Sequence, residues 1–267
     1  QQLILGQEPD LDHLQPDLIV LSPGVSPELP FIQKALKQKL PVWSEVELAL
    51  RATPATVVGV TGSNGKTTTT TLLGVLAQAT GKKTIVAGNI GTALSGLVDN
   101  LNQGDIIVAE LSSFQLELIQ KTRINIAIFL NLTPDHLDRH GTLENYAEAK
   151  AKIFKNQTEQ DLAVLNWDDP YVRGLANRTK ARVVYFSRTE LLSSGICLDS
   201  DYIVIRDEGS STPLVKTSEL LLRGSHNLEN VMAATAAALR LGLKPSQIRE
   251  LLKNFKPVAH RQEIVGL

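Results

Sequence analysis

Only one cysteine, Cys197, occurs in 267 residues. That excludes an intrachain disulfide framework and a cysteine-rich zinc site. The residue reads as a small buried apolar group rather than a nucleophile. Aromatic residues make up 4% of the chain, too few for a base-stacking surface. Neither sign of charge dominates: 27 Lys and Arg stand against 28 Asp and Glu, a formal net charge of −1. There is therefore no electrostatic case for nucleic acid or an anionic membrane as partner. No apolar run approaches the ~20 residues that span a bilayer. The N-terminus lacks the basic-then-apolar layout of a signal peptide. These absences point to a cytoplasmic enzyme or binding protein, expected to act as a monomer.

What remains is ordinary for a protein with a sizeable core, 43% apolar and 21% charged. The length suits one large domain or up to two. The first residues, QQLILG, read as a strand without an initiating Met, and the last, RQEIVGL, as a strand with no closing helix. The chain reads as a fragment of a longer protein.

Apolar runs alternate with helical patterns, which predicts a mainly parallel sheet with covering helices. Asp17–Leu21 reads as a strand broken by Ser22-Pro23-Gly24, followed by a helix at about Pro30–Lys39. Pro41–Trp43 reads as a short strand and Glu45–Arg51 as a helix, with a domain boundary at Thr53-Pro54. Strands are then expected at Thr56–Val60, Lys83–Ala87, Asp105–Ala109, Ile124–Leu130, Leu162–Asn166 and Val183–Phe186. Helices are expected at Lys66 to about Thr80 and at Leu143–Phe154. From Ile196 to Leu222 the pattern changes to strands at Tyr202–Arg206 and Leu214–Leu222, a small antiparallel patch. Helices over Asn227–Leu241 and from Lys244-Pro245-Ser246 through Phe255 complete the pattern.

Between the first of those strands and its helix lies Thr61-Gly62-Ser63-Asn64-Gly65-Lys66-Thr67-Thr68. Glycines let backbone N–H groups turn toward a phosphate chain, and a helix N-terminus adds its positive dipole end. Lys66 is placed to reach terminal phosphates and Thr67 to ligate Mg²⁺. Val60 occupies the first glycine position of the common phosphate-loop pattern, so this is a tighter variant with Gly62 three residues before Gly65. ATP with Mg²⁺ is the expected ligand. Thr68 either touches phosphate or metal or packs under the sheet with Thr69–Thr71.

Ligands of open parallel sheets bind at the carboxyl ends of strands. Four strands here end in polar groups: the phosphate loop, Gly88-Asn89-Ile90-Gly91, Glu110 with Ser112 and Ser113, and Asn131 with Asp135 and His136. Glu110 is the candidate support for Mg²⁺. His136 is read as a metal or substrate contact and His140 as a surface residue. Lys150 stands out by helical phase. At 100° per residue it falls inside the apolar arc of Leu143, Tyr146, Ala147, Ile153 and Phe154, while Glu144, Glu148 and Lys152 point away. A buried lysine must be paired or lose its charge. An ion pair with Asp135 or Glu110 is one solution; a depressed pKa that lets the amine capture CO₂ as a carbamate is the other.

TGSNGKTT, GNIG, ELSSFQLE, NLTPDHLDRHG, the YAEAK helix, GSHNLEN and the closing HR together resemble the Mur ligases of peptidoglycan synthesis. The resemblance runs from about Ser22 to Arg261, and ELSSFQLE sets the chain nearest the branch that adds D-glutamate to UDP-N-acetylmuramoyl-L-alanine. It implies an ATP-dependent ligase working through an acyl phosphate. Gly62, Ser63, Asn64, Gly65, Lys66, Thr67 and Thr68 would hold ATP. Thr67 and Glu110 would hold one Mg²⁺, and His136 with a carbamylated Lys150 a second. Asn89, Ser112 and Ser113 align with positions facing the muramoyl substrate, and Ser22 and Gly24 with a turn near the UDP moiety. Asn227, Asn230 and Arg261 align with nucleotide contacts, although helix capping would also explain the asparagines and a surface ion pair the arginine.

The fold class implied is α/β: a parallel sheet bearing the phosphate loop, helices on both faces and a small antiparallel patch, preceded by a partial Rossmann-like domain. Residues 1–52 would be a remnant of a UDP-substrate domain, 53–258 the ATP-binding domain, and 259–267 the start of a linker. A fragment lacking the rest is expected to show weak or no ligase turnover. Competing readings are another Mur ligase, a folylpolyglutamate synthetase, or a non-catalytic ATP-binding module. A GTPase is disfavoured by the lack of an NKxD guanine reader.

Overall fold

The computed structural model describes residues 3–256. A short helix α1 (Leu11–Leu14) leads into strand β1 (Ile19–Leu21), helix α2 (Pro30–Lys37) and strand β2 (Val42–Ser44). β1 and β2 pair in parallel as a small separate sheet, closed by a cluster of Leu11, Leu21, Ile32, Ala35 and Val42. Ser44 then caps helix α3 (Glu45–Ala52).

The main layer is a nine-stranded sheet. Its strands are β3 (Thr56–Thr61), β4 (Thr84–Gly88), β5 (Ile106–Glu110), β6 (Ile126–Phe129), β7 (Leu162–Asn166), β8 (Arg182–Ser187), β9 (Gly195–Asp199), β10 (Tyr202–Asp207) and β11 (Ser210–Lys216). Their spatial order is β11-β10-β9-β8-β7-β6-β3-β5-β4. Helices α4 (Lys66–Gln78), α5 (Ser113–Leu116), α6 (Leu137–His140), α7 (Leu143–Ala151), α8 (Pro170–Gly174), α9 (Ser225–Arg240) and α10 (Pro245–Asn254) connect or cover them.

The central strands read as unbroken apolar runs because both faces are covered. Their residues sort with a period of two. Val58, Val60, Ile106, Val108, Ile126, Ile128, Leu162 and Val164 face the cluster that includes Leu72, Leu73 and Leu76 of α4 and Ala233–Ala234 of α9. Val57, Ile107, Ala109, Ala127, Phe129, Ala163 and Leu165 face a second cluster with Val46, Ala49 and Leu50 of α3, Leu116 and Phe154. Helices thus lie on both faces.

Four expectations need correction. The strand expected at Leu214–Leu222 begins at Ser210 and ends at Lys216, because Thr217–Glu219 tightens into a 3₁₀ turn. The antiparallel patch also contains β9, whose short apolar run Ile196-Cys197-Leu198 follows polar turn residues; β9 pairs parallel with β8, so the patch is the edge of the main sheet. The helix from Leu143 changes to 3₁₀ geometry over Lys152–Phe154. Lys152, expected to point away, is half-buried and donates to the Glu117 carbonyl at 2.6 Å. Cys197 is buried, as its reading as an apolar residue requires.

Glu47 fastens α3 to the layer. Its carboxylate is fully buried and accepts the backbone N–H groups of Gln120, Lys121 and Thr122 at 2.8–3.2 Å. Removing it leaves three donors without their acceptor, each a desolvation cost of about 1–3 kcal/mol. Glu47→Ala is therefore expected to lower the unfolding free energy by about 3 kcal/mol in urea titrations. An unchanged midpoint would contradict this assignment of the buried carboxylate.

Candidate active site

The strand register aligns the carboxyl ends of the central strands. Gly88 and Val60 both pair with Glu110, and Thr61 pairs with Phe129. From β3 the chain goes to β4, beyond β5, returns through β5, and then crosses to β6 on the other side of β3. β3 therefore sits where the winding reverses, the place where open α/β sheets bind ligands.

The phosphate loop leaves β3 with Gly62 at φ +147° and Gly65 at φ +83°. Gly65 is the N-cap of α4, and no side chain caps that end. A helix N-terminus of this kind, at the end of a glycine-bearing turn, suits an anion. Segment 131–133 fixes the loop. Asn131 accepts from Asn64 N (2.8 Å) and donates to Asn64 O (3.1 Å). Ser63 Oγ donates to the Thr133 carbonyl and accepts from Thr133 N, both at 2.9 Å. Lys66 curls over the loop, its Nζ 3.0 Å from Gly62 O and 2.8 Å from Ser63 O. Thr68 is half-buried, whereas Thr69 and Thr70 are buried with hydroxyls that lack a hydrogen-bond partner.

Glu110 is 2% exposed. Its carboxylate accepts from the Thr67 hydroxyl at 2.8 Å and from Asn89 Nδ2 at 3.0 Å. Both partners are neutral, so the buried charge is hydrogen-bonded but not balanced by them. Adjacent oxygens of an octahedral Mg²⁺ shell with ~2.1 Å bonds lie about 3 Å apart. The Thr67–Glu110 spacing therefore fits Mg²⁺.

Lys150 is 1% exposed and projects from α7 to the same loop, donating to Gly62 O at 2.9 Å. Its ammonium lies 4.6 Å from the centroid of Tyr146, whose hydroxyl is 3.5 Å from Ser63 Oγ. Burial, with the Lys66 charge beside it, lowers its pKa to about 7; Asp135 and Glu110 act in the opposite direction. The reading of Lys150 as a lysine on a buried face holds. No direct ion pair to Asp135 or Glu110 forms; the carbonyl is its partner.

His136 is half exposed, N-terminal to α6 at φ +51°, with Nε2 3.5 Å from Asp135 Oδ2. Its ring lies 6.3 Å from Tyr146, so His136 and Lys150 flank one aromatic side chain. Among the described residues no group of three His, Cys, Asp or Glu could hold a metal. A second cation near His136 would need Lys150 to become an anionic ligand.

The remaining candidates divide. Asn89 is exposed as a residue but its amide reaches Glu110. Ser112 is half-buried and forms a reciprocal capping box with Gln115 on α5. Ser113 is buried and its hydroxyl is 2.9 Å from His140 Nε2. Asn230 packs its amide oxygen onto Gly65, where a Cβ would lie 2.2 Å from it, and Asn227 accepts from Asn230 Nδ2 at 3.1 Å. The N-cap of α9 is Gly224, and Asn227 in the first turn donates to the Arg223 carbonyl at 2.7 Å. Ser22 and Gly24 occupy an exposed turn after β1 in the small sheet. Arg261 lies outside the described residues.

His140 corrects an expectation: it is 8% exposed, not a surface residue. A one-turn helix gives no periodicity to read, so its inward direction is invisible in sequence. Asn131, Thr133 and Tyr146 also belong to the site by contact. A polar residue directly after an apolar strand was the available signal for Asn131; Tyr146 shares the apolar arc of Lys150.

The chain matches the model of the Mur ligase middle domain over residues 60–238. It is 60% identical over 99% of its length to a UDP-N-acetylmuramoylalanine–D-glutamate ligase of Desulfitobacterium hafniense (strain DSM 10664 / DCB-2), and spans 58% of that relative. With a ligase of the same name from Koribacter versatilis (strain Ellin345) it shares 47% identity, covering 92% of this chain and 54% of the relative. The chain thus spans little more than half the length of these curated relatives. Among solved structures, UDP-N-acetylmuramoyl-L-alanyl-D-glutamate–2,6-diaminopimelate ligase superposes with a TM-score of 0.65 at 24% identity, over 91% of this chain and 61% of that one, a likeness of fold. With the middle-domain match extending from the phosphate loop's own strand through most of α9, the chain belongs to the Mur ligase family.

Proposed function

We propose that the site serves an ATP-dependent ligase that joins D-glutamate to UDP-N-acetylmuramoyl-L-alanine through an acyl phosphate. The observation that carries the reading is the convergence of Lys66 and Lys150 on the Gly62 carbonyl beside the Thr67–Glu110 pair. Phosphoryl transfer needs positioned charge more than covalent help. The N-terminus of α4 and the Lys66 ammonium would hold the phosphates of ATP. Thr67 and Glu110 would hold one Mg²⁺. Asn230, against Gly65, holds the loop from the α9 side.

Lys150 has the second role. With a pKa of about 7 its amine is substantially neutral at physiological pH. The nitrogen lone pair adds to CO₂, a C–N bond forms, and one proton leaves to solvent. The resulting carbamate and His136 would hold a second Mg²⁺, and two such sites would offset repulsion between ATP and the substrate carboxylate. Asn89, whose amide reaches Glu110, and Ser112 would take the muramoyl substrate, and Ser22 and Gly24 its UDP end.

ADP formation by the full-length protein, with Mg²⁺, bicarbonate and a panel of substrates, tests the proposal. Turnover is expected only when D-glutamate and the alanyl nucleotide are present together. Turnover with another amino acid, or with a substrate lacking the nucleotide, would assign the site to a different ligase.

A further inference from the structure

The turn that carries His136 is held by side chains of α5 and of Glu117, the residue that follows it. His136 has a left-handed backbone, φ +51°, unusual for a residue with a side chain. It accepts backbone N–H bonds from Arg139 (3.1 Å) and His140 (3.0 Å), which close the single turn of α6. So short a helix does not hold itself. Its far end is gripped by α5. His140 Nε2 is 2.9 Å from Ser113 Oγ, and its Nδ1 is 3.3 Å from Glu117 Oε1. Arg139 reaches Glu117 Oε2 at 3.2 Å. Phe114 stacks on His140 (5.3 Å, 11°), meets His136 at 5.2 Å and lies under the Arg139 guanidinium.

We propose that Glu117, His140 and Ser113 form a positioning relay that sets the place of the His136 imidazole relative to Glu110. The inference rests on the metal-holding role given to His136 above. A neutral imidazole has one donor and one acceptor. Nδ1 faces a carboxylate, so it carries the proton and donates to Glu117. Nε2 is then the acceptor, and the Ser113 hydroxyl donates to it. α5 begins three residues after Glu110, so the relay ties the turn of His136 to the strand end of Glu110. Ser113 in this arrangement is a positioning residue, not a substrate contact.

Partners behind a metal ligand typically change metal affinity by about 10–100-fold when removed. The test titrates Mn²⁺ into the full-length protein, saturated with bicarbonate and a non-hydrolysable ATP analogue. Ser113→Ala and His140→Phe are each expected to weaken the His136-dependent Mn²⁺ site by about tenfold. The double variant is expected to lose no more than His140→Phe alone, since the hydrogen bond that Ser113→Ala removes is already gone there. Nitrogen NMR should show His140 protonated at Nδ1. Should His140→Phe fail to fold, Ser113→Ala, which removes one hydroxyl, still decides. Lower thermal stability with unchanged Mn²⁺ affinity in the variants, while His136→Ala loses the site, overturns the relay and leaves the metal reading standing. No loss in His136→Ala itself overturns the metal reading, and the relay with it.

Discussion

Lys150→Met is expected to stabilise the fold and to cut turnover by the full-length protein steeply. The stability side follows from burial. A native pKa near 7, against 10.5 in the unfolded chain, means that folding works against the charged form. Below pH 7 both states hold the proton and the full cost applies. Between pH 7 and 10.5 the native state has released it while the unfolded state has not, so stability rises with pH, by up to about 1.4 kcal/mol per unit. Above 10.5 both are neutral and the cost is gone. Methionine fills a similar volume without charge, so the variant should gain about 2 kcal/mol at pH 6 and lose this pH slope. The gain is smaller than the whole shift because the bond to Gly62 O is lost as well. Turnover should fall about a thousandfold, the scale of removing a positioned electrostatic group. Bicarbonate should raise the melting temperature of the Mg²⁺-loaded native protein and leave the variant unmoved. Urea titrations at pH 6 and 9, with and without bicarbonate, measure each part. A variant less stable at pH 6, or one that turns over normally, would remove Lys150 from the role given to it.

The parts of this site that could be read in advance are those whose signal is local or strictly periodic. The phosphate loop announces itself because strand, glycines, GKT and helix are adjacent in the chain. The phase of Lys150 is a helical count, and its burial follows. Glu110 is legible because it ends an apolar run, and parallel pairing then puts it beside Val60. What escaped depends on neighbours far apart in sequence or on very short elements. The two-way pairing of Asn131 with Asn64 spans 67 residues. His140 sits in a one-turn helix, where neither phase nor burial can be counted. Strand β9 is short and follows a polar turn, and its place is fixed only by β8 and β10. What Asn230 touches is set by a tertiary approach that no local pattern encodes: its amide oxygen lies 2.2 Å from where a Cβ on Gly65 would stand.

That approach makes Gly65→Ala the most damaging single-methyl change expected in the loop. Two costs coincide. At φ +83° a residue with a Cβ is strained by about 1–2 kcal/mol. The new Cβ would also lie 2.2 Å from Asn230 Oδ1, about an ångström inside contact distance. Asn230 cannot yield freely, being 3% exposed and bonded to Asn227 on α9. The loop must therefore shift away from α9, and the start of α4 with it. Misplacement of positioning groups by about 1 Å costs on the order of a hundredfold. ATP affinity with Mg²⁺, measured by calorimetry, should drop by about that factor while the chain still folds, because the cores on either side of the sheet lack Gly65. Pairing the change with Asn230→Ala separates the two causes. If the clash dominates, the double variant binds more tightly than Gly65→Ala alone; if the backbone strain dominates, it does not. Unaltered ATP affinity in Gly65→Ala would mean that the loop does not carry the phosphates.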